Sequence, residues 1–171
     1  MRRIELTIAY DGTNYRGWQI QQPTAAHPEG SVPTIQGALQ RALGQLLPKE
    51  GNTIPVVGAS RTDSGVHALG NVACFDTESM IPAANFPKAI NRYLPADIRV
   101  MQADEVSMDF HPRFVPHEKC YEYRIDNGRV ANPLTRLYAY HYTYPLDLER
   151  MRAAARELVG VHDFTSFVNP D

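Results

Sequence analysis

The chain predicts an α+β fold of the ferredoxin-like (split βαβ) kind, an antiparallel sheet with its helices on one face, followed by an incomplete second unit of similar type. Three observations carry this. Residues 3–10, RIELTIAY, alternate apolar with polar, the pattern of a half-buried strand. Residues 34–47 repeat apolar side chains at helical spacing. The periodicities then run strand, helix, strand, strand, helix, strand over residues 1–106, the order that the split βαβ arrangement requires.

Taken in order, Ile4, Leu6, Ile8 and Tyr10 share one strand face, and Asp11-Gly12 ends the strand. Residues 12–33 are rich in Gly, Gln, Pro, Asn and Thr and read as a long irregular loop. Thr34 then caps a helix to about Leu47, with Ile35, Leu39, Ala42, Leu43 and Leu46 on one stripe and Pro48 beyond its end. Residues 54–57, IPVV, form a short strand, and Val66–Phe75 the next one, weakened by Gly70. Pro82–Leu94 suits a second helix, with Pro87 held to its first turn. Residues 98–106, IRVMQADEV, supply the last strand of a first domain spanning 1–106.

A partial second domain follows at 107–171, a hairpin plus a helix. In residues 117–125, HEKCYEYRI, Tyr121, Tyr123 and Ile125 fall on one side, and Asp126-Asn127-Gly128 is a turn signal. Leu137–Tyr144 reads as a tyrosine-rich strand, packing in a sheet. Asp147 caps a helix to about Val159 with Leu148, Met151, Ala155 and Leu158 on one stripe and Gly160 at its end. Two strands and a helix cannot close a second split βαβ unit, so this unit is expected to be truncated.

Composition excludes several classes. The hydrophobic fraction of 43% and charged fraction of 21% are those of an ordinary globular domain. No apolar run approaches the roughly 20 residues needed to cross a bilayer, and the alternating start is not a signal peptide. Cys74 and Cys120 lie far apart without CxxC spacing, so neither a disulfide framework nor a metal site is expected, and a reducing cytoplasm is the natural compartment. A net charge of −2 argues on its face against a nucleic-acid partner, although a basic face can coexist with an acidic back.

The stretch with chemical content is GASRTDSGVHALG, residues 58–70, with three glycines and an Arg two residues before an Asp. In an extended connection, residues two apart project the same way, so Arg61 and Asp63 can share one direction. A guanidinium beside a carboxylate favours the charged form. The product is a poor general base but a persistent anion, suited to nucleophilic attack or to stabilising a cation. The competing reading is an Asx-type turn with a surface ion pair. Thr62 stands where G-x-S-x-G needs glycine. Asp63, Ser64 and His67 are too close in sequence for a triad, and His67 reads as a structural residue at a strand start. Phosphate-loop and HExxH patterns are absent.

Several ordered blocks carry a family likeness: IAYDGTNYRGWQIQ at 8–21, TIQGALQRAL at 34–43, ASRTDSGVHALGNVACF at 59–75, FHPRFVPHEKCYEYRI at 110–125 and HDFTSF at 162–167. With these the chain resembles the tRNA pseudouridine synthase A family. The resemblance implies an isomerase that converts uridine to pseudouridine in the anticodon arm of tRNA, working as a homodimer with no cofactor or metal. It implies Asp63 as nucleophile, Arg61 as its partner and Tyr121 packed on the target base. The reaction breaks N1–C1′, turns the uracil and joins C5 to C1′, with attack at uracil C6 or ribose C1′ both open and Tyr121 or a water, and more weakly His67, as candidate C5 base. Ser60 stands where bacterial members often have Gly. Family members also continue into a C-terminal portion that completes the second unit, and this chain is read as lacking it. Two other readings stay open: a catalytically silent RNA-binding module on the same sheet, and a carboxylate-dependent nucleoside hydrolase with a small closed pocket.

Overall fold

A computed structural model describes residues 1–21 and 32–167. The chain divides into two compact units, Met1–Glu118 and Lys119–Asp171. The loop expected over 12–33 is described only at its two ends, since residues 22–31 lie outside the described residues.

In the first unit the order is β1 (Arg2–Tyr10), α1 (Ile35–Leu46), β2 (Val57–Gly58), β3 (Ala68–Thr77), α2 (Phe86–Ile90) and β4 (Ile98–Val106). The sheet runs β2-β3-β1-β4, and every neighbouring pair is antiparallel. The alternation seen in the sequence sets the register: Ile4, Leu6 and Ile8 lie opposite Phe75, Ala73 and Asn71 of β3. Ile4, Leu6, Ile8, Ala73 and Phe75 form one core with Ile35, Leu39 and Leu43 of α1 and Phe86 and Ile90 of α2. Each fully buried Ile, Leu or Phe contributes on the order of 1.5–3 kcal/mol to holding both helices on the sheet.

Helix α1 begins where Thr34 Oγ1 accepts the Gly37 N–H at 3.2 Å, satisfying one of the orphan donors of its first turn. It stops at Leu47, one residue before Pro48. The helix expected over 82–94 is shorter. A 3₁₀ turn, Ala83–Asn85, leads into five residues of α2, with Pro87 in the first turn. Proline is tolerated there because that N–H has no helical partner, but it cannot sit inside a longer helix.

The opposite face of the sheet is polar. Arg3 lies across from Asp76 in the β1–β3 register, and its Nε and Nη2 donate to the two carboxylate oxygens at 2.7 and 2.8 Å. Arg3 Nη1 also donates to the carbonyls of Met108 and Phe110, each at 2.7 Å. Residues 107–118, which the sequence groups with the second unit, are tied in this way to the first.

The second unit holds β5 (Ile125–Asp126), β6 (Tyr140–His141) and α3 (Leu148–Arg156). Asp147 caps α3 as expected, its Oδ1 accepting the Arg150 N–H at 3.0 Å. The two strands are only two residues long and pair in parallel, where the turn at 126–128 predicted an antiparallel hairpin. Asp126 instead uses its carboxylate to hold a wider loop, Oδ1 accepting from Gly128 N and Oδ2 from Asn132 N. None of the described residues from 119 onward is buried.

Candidate active site

The connection between β2 and β3 carries Arg61 and Asp63, and its course is set by main-chain contacts on both sides. Ala59 N–H still donates to Val72 O at 2.8 Å, continuing the ladder. Beyond it the chain departs, with Ser60 O held by Asn71 Nδ2 at 3.2 Å. Thr62 turns inward: its Oγ1 lies 2.9 Å from Tyr10 Oη, and its carbonyl accepts the Trp18 N–H at 2.9 Å. Ser64 Oγ and Gly65 N–H both donate to the carbonyl of Tyr15, at 3.3 and 3.2 Å.

Asp63 opens a tight turn, its carbonyl accepting the Val66 N–H at 3.2 Å. Gly65 has φ +79°, the value that the third position of a type II turn demands and that glycine adopts without steric cost. So the turn reading of Asp63 holds for its backbone. Its side chain takes no part: among the described residues the carboxylate is neither in an Asx bond nor in an ion pair with Arg61. Both Arg61 and Asp63 are exposed, while Thr62 between them is half-buried.

The neighbouring loop, residues 11–18, is the part of the site that the sequence left as irregular. Trp18 is 1% exposed and its ring lies against Gly58, where a Cβ would meet ring atoms at 2.5 Å. Tyr15 is buried too, its hydroxyl donating to Asp97 Oδ1 at 2.6 Å. Burial, and then the carboxylate that accepts its proton, raise its pKa well above the usual tyrosine range. Arg113 reaches the same region, its Nε donating to Gly58 O at 3.0 Å. The signal for this loop was the pair of glycines in DGTNYRGW, but one sequence does not say which backbone a glycine admits.

His67 sits at the end of the connection, with Nδ1 3.1 Å from Gly12 N and 3.0 Å from Asp11 Oδ1. Tyr121 belongs to the second unit and is 78% exposed. Residues 119–124 are not a strand, because only Ile125 and Asp126 find ladder partners there. Glu122 pairs with Arg124, which lowers the Glu122 pKa by hydrogen bonding and then by charge.

A cavity of about 190 Å³ in the first unit is lined by Tyr15, Pro33, Ala38, Arg41, Ala42, Gln45, Tyr93 and Pro95. Neither Arg61 nor Asp63 is among its lining residues. Among the described residues no group of three His, Cys, Asp or Glu could hold a metal ion, and no helix is long and apolar enough to cross a membrane.

Comparison with known proteins adds an independent line. Residues 6–115 match a family model described as tRNA pseudouridine synthase. The chain is 46% identical over 168 residues to the tRNA pseudouridine synthase A of Limosilactobacillus fermentum, covering 98% of this chain and 62% of that protein. It is 46% identical over 171 residues to the protein of that name from Solibacter usitatus, covering 100% and 67%, and 44% identical over 167 residues to that of a Thermoanaerobacter species, covering 98% and 64%. The chain thus spans about 62% of the first relative's length.

Proposed function

The chain belongs to the tRNA pseudouridine synthase family, and on that premise we propose that it isomerises uridine to pseudouridine in the anticodon stem-loop of tRNA, with Asp63 as nucleophile. The observation that carries the assignment is the uncommitted Asp63 carboxylate, exposed at the start of a turn whose flanking residues, Thr62 and Ser64, are anchored to residues 10–18. A fixed backbone beneath a free anion is the preorganisation that nucleophilic attack needs. Arg61, exposed two residues before it, supplies a cation to pair with Asp63 or with an incoming phosphate. Tyr121 is the ring that packs on the displaced base, offsetting part of the cost of unstacking it. The chemistry needs no cofactor, because nothing is oxidised and no group is imported.

The strand order β2-β3-β1-β4 with antiparallel neighbours supports the finer reading of the first unit as a split βαβ fold. The complete enzyme is read as a cytoplasmic homodimer.

Release of tritium from tRNA carrying C5-labelled uridine tests the assignment, with this chain assayed beside a version extended to the length of its relatives. Asp63→Asn is expected to abolish release while leaving tRNA affinity within about threefold, since affinity for phosphates comes from Lys and Arg and the change removes no cation. Tritium release retained by the Asn variant would remove Asp63 from the role.

A further inference from the structure

His67 has no part in the chemistry proposed above, yet it closes a circuit of hydrogen bonds around the loop that presents Asp63. Its Nδ1 is 3.1 Å from the Gly12 N–H. Gly12 O accepts the Tyr15 N–H at 2.9 Å, and Tyr15 O in turn accepts from Gly65 N–H and Ser64 Oγ. Gly65 and Ser64 are the two residues that follow Asp63, and two residues beyond Gly65 the path returns to His67.

The ring is suited to this in either tautomer. With the proton on Nε2, the Nδ1 lone pair accepts from Gly12 N–H; with the proton on Nδ1, the ring donates to Asp11 Oδ1, 3.0 Å from the same nitrogen. Both partners belong to one turn, which is itself fixed to the sheet by the Asp11 N–H on Asp97 O at 2.9 Å.

We propose that His67 is a positioning residue, latching the Asp11–Gly12 turn to the Asp63 loop so that the Asp63 carboxylate is held at the height its substrate requires. The inference goes beyond the functional reading and rests on it only for its kinetic arm. An asparagine can replace the latch, because its amide reaches the Nδ1 position and offers an acceptor for Gly12 or a donor for Asp11. A glutamine carries its amide toward the Nε2 position and cannot.

The test compares His67→Ala, His67→Asn and His67→Gln by amide hydrogen exchange and by tritium release. In the Ala and Gln variants the Gly65 and Trp18 amides should exchange at least about tenfold faster, because local opening is no longer held. Their kcat should fall about 10–100-fold with KM changed by less than about threefold, the pattern of a misplaced reacting group. His67→Asn should restore both. Should the Ala variant fail to fold, the Gln variant carries the same expectation with the side-chain bulk kept.

Unchanged exchange at Gly65 and Trp18 in the Ala or Gln variant would overturn the latch. An Asn variant with restored protection but a kcat as low as that of Ala would also overturn it, by giving the ring a chemical role. If neither the wild-type chain nor its extended version releases tritium, the functional reading fails, while the exchange comparison still decides the latch.

Discussion

Gly17 and Thr62 approach so closely that a Cβ on Gly17 would lie 2.4 Å from the Thr62 carbonyl oxygen, and 3.1 Å from the carbonyl carbon of Asp63. This contact, together with φ +85° at Gly17, makes the 11–18 loop a mould for the loop that carries Asp63. Gly17→Ala should therefore destabilise the fold by roughly 2–4 kcal/mol, from the left-handed backbone cost and the forced separation of two main chains. Urea unfolding measures it, and a midpoint equal to that of the wild type would contradict the contact.

Gly58 offers a second test with an optical readout. The chain has a single tryptophan, and a Cβ at position 58 would meet Trp18 Cε2 and Cζ2 at 2.5 Å. In Gly58→Ala the indole must move. Its fluorescence should shift to the red as it gains water, with a loss of about 1–3 kcal/mol in stability. Emission unchanged from that of the buried ring is the outcome that refutes the packing.

The Arg3–Asp76 pair predicts an acid-dependent contribution. The hydrogen bonds from Arg3, and secondarily its charge, hold the Asp76 carboxyl below its ordinary range. A carboxylate depressed in the folded state adds stability that is present above its unfolded pKa and lost as the pH falls through the folded one. Asp76→Asn should thus cost on the order of 1 kcal/mol at neutral pH, allowing for solvent screening at this half-buried site. That difference should shrink as the pH falls below the ordinary Asp range. Unfolding curves of the two proteins that stay equally far apart at every pH would rule the pair out as the cause.

Much of the first unit is legible from local pattern, because its elements are decided by local physics. Alternation marks β1 and the Thr34 cap and apolar stripe mark α1, while in the second unit Asp147 marks the start of α3. The elements that sequence misplaced are those decided elsewhere. A strand exists only against a ladder partner, so HEKCYEYRI and the tyrosine-rich segment look like strands yet pair over two residues each. In the candidate site, spacing alone singles out Arg61 and Asp63, and both are exposed. The support beneath them is not readable in that way. It combines main-chain contacts between residues 11–18 and 62–65 with hydrogen bonds from Tyr10, Ser64 and Asn71, and side-chain identity reports the main-chain part only through the glycines that permit it. His67 was read as structural without a partner, and its partners, Gly12 and Asp11, lie more than fifty residues earlier in the chain.

The support of Asp63 by the buried positions of a neighbouring loop has an evolutionary corollary. Within the 11–18 loop, Thr13, Asn14 and Arg16 point to solvent while Gly12, Tyr15, Gly17 and Trp18 face the protein. The outward positions are then free to drift without disturbing the loop that carries Asp63. A scaffold of this kind separates, residue by residue along a single loop, the positions that hold a neighbouring turn in place from those that can vary.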